Sequence, residues 1–259
     1  MQRYHTPLDL VRERSPERPV AIARPDAVAV AARWFQDNFK GDVFYAVKAN
    51  PSPWVIQALV ENGVTSFDVA SIPEIEMVLA AGASADRISY GNTIKKERDV
   101  ARAYALGVRL YAVDCKPEVE KIARSAPGSR VFCRILSDCV GADWPLSRKF
   151  GCEPAMAIDV LDHARSLGLE PYGVSFHVGS QQRNQHAWDR ALASAAAVFR
   201  ECGERGINLS MVNLGGGFPT KYLKNVPTVR TYGNAIFDAL RKHFGNRIPE
   251  TIIEPGRGM

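Results

Sequence analysis

Short apolar runs rich in β-branched and aromatic residues recur along the chain. Each is followed by a longer stretch in which apolar residues return with helical spacing. The short runs predict strands at 43–48, 65–69, 87–90, 109–113, 130–135, 172–178, 210–214 and 251–254. The longer stretches predict helices near 52–62, 72–82, 95–106, 116–125, 153–168, 185–204 and 229–244, with one more at 26–39 ahead of the first strand. Strands alternating with helices imply a parallel sheet, because parallel neighbours need a crossover of helical length. The expected fold is therefore α/β, with the sheet closed into a (β/α)₈ TIM barrel. An open doubly wound sheet would usually carry a glycine-rich turn after its first strand, and here that turn reads Ala49-Asn50-Pro51.

Local signals agree with this division. Gly82, Gly107 and Gly168 follow helical stretches as stops, and Ser71 with Glu74 three residues on resembles a capping box with Pro73 in the first turn. Residues 1–24 form a lead-in segment in which Val20-Ala21-Ile22-Ala23 reads as an additional strand outside the barrel, and the barrel itself takes 25–259. The chain ends just after its eighth strand, and the helix at 26–39 is placed to fill the ring position that a helix after that strand would occupy.

Length and charge narrow the picture. A chain of 259 residues matches one such barrel, for which about 250 is typical. The apolar stretches, such as 191–199, are too short and alanine-rich to cross a bilayer, and the start Met1-Gln2-Arg3-Tyr4-His5 has no apolar signal core. A cytoplasmic chain with no membrane partner is expected. The net charge of +5 is spread among interleaved acids, as in Lys95-Lys96-Glu97-Arg98, which argues against a nucleic-acid surface. Five cysteines with no Cys-x-x-Cys indicate neither zinc nor a disulfide framework, so reduced thiols, several of them in the core, and no metal are expected.

Active sites of such barrels lie at the C-terminal ends of the strands. Those ends are strongly polar here: Lys48, Asp68, Asn92, Asp114 and Arg134 end or follow strands one to five, and His177 and Ser180 come with strand six. Gly215-Gly216-Gly217 follows strand seven, and Glu254, Pro255, Gly256 and Arg257 follow strand eight. Any one of these residues alone has an ordinary reading, such as a core histidine, a Glu254–Arg257 salt bridge or a glycine turn. Together they concentrate costly groups at one rim. A glycine triplet frees backbone N–H groups to face an anion, and barrels often bind phosphate with the loops after strands seven and eight. Arg257 adds a cation beside it. A phosphate site facing a lysine suits a phosphorylated aldehyde held as an imine, and pyridoxal 5'-phosphate is that molecule. The imine needs an amine that can be deprotonated, and a partly desolvated strand end lowers the cost of the neutral form of Lys48.

Five ordered motifs carry a family resemblance: Phe44-Tyr45-Ala46-Val47-Lys48-Ala49-Asn50, Phe67-Asp68-Val69-Ala70-Ser71, Ser175-Phe176-His177-Val178-Gly179-Ser180, Leu214-Gly215-Gly216-Gly217-Phe218-Pro219 and Glu254-Pro255-Gly256-Arg257. They resemble the fold-type III pyridoxal-phosphate decarboxylases, which share their barrel with alanine racemase. The resemblance implies that Lys48 forms the internal imine and His177 stacks on the cofactor ring. It also implies that Ser180, Gly217, Gly256 and Arg257 bind the phosphate, with Gly215, Gly216 and Pro255 completing the cofactor set, and that Glu254 pairs with the pyridine nitrogen. Asp68 and Arg134 would line the site near the imine, and Asp114 is structural. A carboxylate at the ring nitrogen favours decarboxylation over racemisation, since it keeps the ring a strong electron sink.

Within the group, Asp143-Trp144-Pro145-Leu146-Ser147-Arg148-Lys149-Phe150-Gly151 and the glycine motif are most similar to ornithine decarboxylases. Ornithine conversion to putrescine is the expected activity, with lysine or diaminopimelate as alternative substrates and a non-catalytic regulatory homologue as the other alternative. Family members continue into a β-rich second domain and form homodimers with sites at the interface. A chain ending here is therefore expected to lack full activity by itself.

Overall fold

A computed structural model of the chain describes residues 3–145, 149–223 and 225–259. Eight parallel strands close into a barrel: β1 (Asp42–Ala46), β2 (Ser66–Val69), β3 (Ile88–Tyr90), β4 (Leu110–Val113), β5 (Arg130–Arg134), β7 (Glu170–Ser175), β9 (Met211–Asn213) and β10 (Glu250–Ile253). β10 pairs with β1 in the register Asp42↔Ile252 and Val43↔Ile253, which shuts the ring. Each predicted barrel strand is present. No helix among the described residues is long and apolar enough to cross a membrane.

Alternation along the strands divides two cores. Phe44, Leu110, Ala112, Phe132, Met211 and Ile252 form one buried cluster, the plug inside the barrel. Their neighbours Tyr45, Tyr111, Val131, Cys133, Val212 and Ile253 belong to the other, between sheet and helices. Side chains on a strand repeat their direction every second residue. Two steps beyond Phe132, Met211 and Ile252 on the same inward face come Arg134, Asn213 and Glu254. The apolar plug thus gives way to a polar layer toward the C-terminal mouth.

The helices are α2 (Pro25–Asn38), α3 (Pro53–Glu61), α4 (Ile72–Ala80), α5 (Glu97–Ala105), α6 (Lys116–Ser125), α7 (Pro154–Ser166), α8 (Ala187–Glu204) and α9 (Val229–Phe244). α2 packs between α3 and α9, so it completes the outer ring as its position in the sequence implied. Its end is seated on α9: a Cβ at Gly233 would stand 2.5 Å from Asn38 O, Arg230 Nε donates to Asn38 Oδ1 at 3.1 Å, and Phe39 meets Phe237 at 5.5 Å. Gly82, Gly107 and Gly168 adopt the left-handed backbone of helix stops.

Several expectations need correction. No strand forms at 20–23. The lead-in segment instead carries a short helix, α1 (Pro7–Arg14), whose Thr6 and Asp9 cap it reciprocally. The capping box at Ser71 is not made: the Ser71 side chain makes no cap bond, and Glu74 accepts the N–H of Ala70, one residue before the cap, at 2.6 Å. The first strand stops at Ala46 and Lys48 sits on a 3₁₀ turn, Val47–Ala49, because Ala46 N–H has already turned to Pro255 O. The sixth barrel strand stops at Ser175. Beyond it a two-stranded antiparallel ribbon, β6 (Ala142–Trp144) with β8 (Ser180–Gln182), lies over the mouth, an element without a periodic signal of its own. Leu146, Ser147 and Arg148 of the motif at 143–151 lie outside the described residues. Four of the five cysteines are buried, Cys133 and Cys152 facing each other with Sγ atoms 3.6 Å apart.

The α2–α9 contact yields a test. Glycine to alanine inside an exposed helix stabilises by about 1 kcal/mol. At Gly233 the added methyl has to displace the Asn38 carbonyl, so Gly233→Ala should instead destabilise the chain by roughly 1–3 kcal/mol, read as a lower urea midpoint.

Candidate active site

The polar layer collects Lys48, Asp68, Arg134, Asn213 and Glu254 from five different strand ends. Lys48 Nζ is 2.9 Å from Asp68 Oδ2; the lysine side chain is 59% exposed through the open mouth, whereas Asp68 is 2% exposed. Asp68 Oδ1 has no hydrogen-bond partner among the described residues, and Gly91 packs so close to it that any Cβ there would collide. Asp68 and then Glu254 raise the pKa of Lys48, against burial and Arg134, which lower it. Desolvation does lower the cost of the neutral amine, as the strand-end position implied, but the two carboxylates outweigh it and favour the charged form.

Glu254 follows β10 and accepts a hydrogen bond from Asn213 Nδ2 at 2.5 Å. Burial pushes its carboxyl up to about 7, and Asp68 adds to the rise, while Lys48, the Asn213 bond and Arg134 oppose it. Arg134 ends β5 with its guanidinium over the Phe150 ring at 5.6 Å, and burial lowers its pKa. His177 lies just past β7. Its Nδ1 accepts the Gly179 N–H at 3.0 Å, which leaves the ring proton on Nε2, and burial lowers its pKa to about 3, helped by Arg134 and Lys48. The imidazole is a neutral, flat surface across the physiological range.

The glycine triplet lies against the loops around it. Gly215 and Gly217 take left-handed backbone, and side chains at the three positions would strike the carbonyls of Phe176, Glu254 and Gly179. Close backbone packing therefore gives the triplet a structural reason beside any ligand. Beneath it Trp188 stacks on Phe218 at 5.2 Å and donates Nε1–H to Leu214 O at 3.2 Å, and Phe35 meets Phe218 edge-on at 5.3 Å. The N–H groups of Gly216, Gly217, Gly256 and Arg257 have no hydrogen-bond partner among the described residues. Arg257 does not pair with Glu254; its guanidinium lies 5.5 Å from the Trp144 ring, and Trp144 is registered against Ser180 across the ribbon. Pro255 contributes its carbonyl to Ala46 N–H at 2.9 Å, a seam of the barrel.

Two of the rim residues stand apart. Asp114 Oδ2 accepts the Gly151 N–H at 3.1 Å, which agrees with a structural role, and Asn92 folds onto its own turn, donating to Ile94 O at 2.6 Å. Asn213 was not singled out from the sequence. Its signal is the strand register, two residues beyond Met211 on the inward face, legible only once the strand is known to line a barrel.

A family model described as the pyridoxal binding domain of pyridoxal-dependent decarboxylases matches residues 26–259. The chain belongs to this family. It is 35% identical over 244 residues to a lysine/ornithine decarboxylase of Selenomonas ruminantium, covering 93% of this chain and 61% of that protein. It is 36% identical to antizyme inhibitor 2 of Xenopus laevis, over 83% of this chain and 47% of the relative. Among solved structures, a mutant of the lysine decarboxylase of S. ruminantium in complex with PLP superposes with a TM-score of 0.90 at 30% identity, covering all of this chain and 67% of that one. The arginine decarboxylase of Paramecium bursaria Chlorella virus, bound to agmatine, superposes at 0.83 with 30% identity, over 90% of this chain and 63% of that chain. This pyridoxal-binding barrel thus spans about half to two-thirds of the length of these relatives.

The residues present fit the family's cofactor. Backbone N–H groups without partners among the described residues, and Arg257, which makes no ion pair among them, suit a phosphate, and a neutral imidazole, a lysine and a buried carboxylate share the same mouth.

The raised Glu254 carboxyl has a consequence for stability. Below its ordinary value of 4.5 the proton is held in both folded and unfolded chains. As pH rises the unfolded chain ionises first, so stability falls, and the loss levels off above about 7. Glu254→Gln should therefore be the more stable protein at pH 8 by on the order of 1–3 kcal/mol, at about 1.4 kcal/mol per tenfold change in ionisation. The gap should close below pH 4.5, as followed by urea unfolding of the cofactor-free chain at both pH values.

Proposed function

We propose that this barrel holds pyridoxal phosphate and serves a decarboxylase of basic amino acids, with ornithine as the preferred substrate, giving putrescine. The observation that carries the reading is the placement of Lys48, paired with Asp68, in one layer of the mouth with the buried carboxylate of Glu254. Bound there, the cofactor would supply an electron sink for the electrons left on the α-carbon when carbon dioxide departs. Lys48 is the amine for the cofactor's aldehyde, and Asp68 sets its proton affinity. His177 presents a flat, uncharged face to the ring. Glu254 sits against the ring nitrogen, whose positive charge would in turn favour the ionised carboxylate. Ser180, Gly217, Gly256 and Arg257 hold the phosphate, with Gly215, Gly216 and Pro255 shaping the backbone around it.

The relatives support basic amino acids as a class, since lysine, ornithine and arginine decarboxylases all appear among them. The preference for ornithine over lysine, arginine or diaminopimelate rests on the motif resemblance. A partner subunit is part of the proposal. Ile94, Val140, Trp144, Tyr222 and Leu223, all in segments that follow barrel strands, are 57–99% exposed, an apolar rim that a second copy would cover to keep water from the site. The relation to an antizyme inhibitor favours a second reading, a non-catalytic homologue.

Incubation with pyridoxal phosphate followed by borohydride should leave a stable adduct that peptide mapping places on Lys48, and Lys48→Ala should abolish it. An adduct elsewhere, or none, overturns the reading. In the decarboxylase that this barrel serves, diamine formation from ornithine should exceed that from lysine, arginine or diaminopimelate. Glu254→Ala in that enzyme should slow it by roughly ten- to a thousandfold while cofactor still binds. An adduct on Lys48 with no turnover of any of the four substrates by that enzyme would favour the non-catalytic homologue.

A further inference from the structure

Glu254 is not held by its own strand alone. On the neighbouring β9, Asn213 is 1% exposed, gives Nδ2–H to Glu254 Oε1 at 2.5 Å and accepts the Gly215 N–H on Oδ1 at 2.9 Å. The two partners determine the orientation of the amide. A carboxylate oxygen accepts and a backbone N–H donates, so a flipped amide would lose both bonds. Glu254 N–H in turn donates to Gly215 O at 2.9 Å, and Gly216 packs against Glu254 O from the other side, where a Cβ would come within 2.5 Å. Carboxylate, amide and the start of the glycine loop are one connected unit.

The choice of residue is informative. Met211, two positions earlier on the same inward face, belongs to the apolar plug, and an apolar residue at 213 would continue it. A buried amide is costly unless both of its ends are bonded, and here both are. The charged groups acting on Glu254 are Asp68, Lys48 and Arg134. A lysine or arginine at 213 would neutralise the carboxylate and compete with any cationic ligand, and an aspartate would repel it. An amide donates without adding charge.

We propose that Asn213 is a positioning residue that aims the Glu254 carboxylate at the ring nitrogen of bound pyridoxal phosphate and sets its distance from the phosphate loop. The proposal rests on the assignment of Glu254 to that nitrogen.

The test compares affinity for pyridoxal phosphate with affinity for its 1-deaza analogue, in which carbon replaces the ring nitrogen. Binding to the full chain is followed by absorbance and fluorescence titration. Unmodified protein should prefer the natural cofactor, and Glu254→Gln should erase the preference. Asn213→Asp keeps the shape and the acceptor for Gly215 but loses the donor. It should cut the preference by on the order of ten- to a hundredfold, with affinity for the analogue within about twofold of the unmodified chain. Asn213→Ala should lower affinity for both ligands and also erase the preference, which keeps the test available if the aspartate variant does not fold. A preference that survives in the Asn213 variants while Glu254→Gln loses it overturns the role of Asn213 alone. Equal losses for both ligands in Asn213→Asp would reduce the residue to a structural one and overturn it too. Equal affinity of the unmodified chain for the two ligands would remove the assignment of Glu254, and this proposal with it.

Discussion

Closure of the parallel sheet is the constraint on which the rest of this structure depends. β1 and β10 come from opposite ends of the barrel sequence, and their pairing at Asp42↔Ile252 and Val43↔Ile253 leaves no barrel strand with an open edge. The seam continues one step higher, where Ala46 N–H reaches Pro255 O. Lys48 and Glu254 stand just above that seam, so the same hydrogen bonds that shut the barrel bring the two charges into one site. The α2 helix belongs to this closure as well, since it fills the outer ring beside α9 that the seam would otherwise leave uncovered.

Inside the ring, period-two alternation sets the height of the chemistry. Bulky apolar residues fill the lower barrel, and the next inward position on β5, β9 and after β10 is polar. Charges placed there meet each other before they meet water. Burial alone would push Lys48 toward the neutral amine and the Glu254 carboxyl toward the acid, yet Asp68 prevails over burial at the lysine, while burial prevails at Glu254. The site is consequently poised between opposing terms, a state in which a cationic ring nitrogen or the loss of one hydrogen bond has a large effect. That sensitivity gives Asn213 its interest, as a neutral donor among four charged neighbours.

The glycine loop shows how packing and binding demands coincide. Each glycine of the triplet faces a neighbouring carbonyl too closely for a side chain, and the loop rests on the Trp188, Phe218 and Phe35 rings. The same compression that excludes Cβ atoms leaves the N–H groups of Gly216 and Gly217 without partners among the described residues. A rigid foundation under unsatisfied donors is what an anion site requires, because the donors then need no rearrangement when the ligand arrives.

Much of this was legible from the residues alone. Helical and strand periodicities locate every barrel strand and the helices between them, since those repeats are imposed by burial on one face or both. The motifs at Lys48, Asp68, His177, Gly215-Gly216-Gly217 and Glu254 point to the mouth because strand ends are where such barrels expose backbone and side chains to a ligand. The tertiary structure alone decided the rest. Whether Lys48 is charged depends on summed fields from Asp68, Glu254 and Arg134, three strands distant in sequence, and desolvation at one strand end cannot predict that sum. The ribbon of β6 and β8 and the seat of Arg257 over Trp144 come from pairings between loops, which have no period to read. Asn213 looks like any polar residue before a glycine turn until the register shows its amide turned inward, between a carboxylate and a backbone N–H.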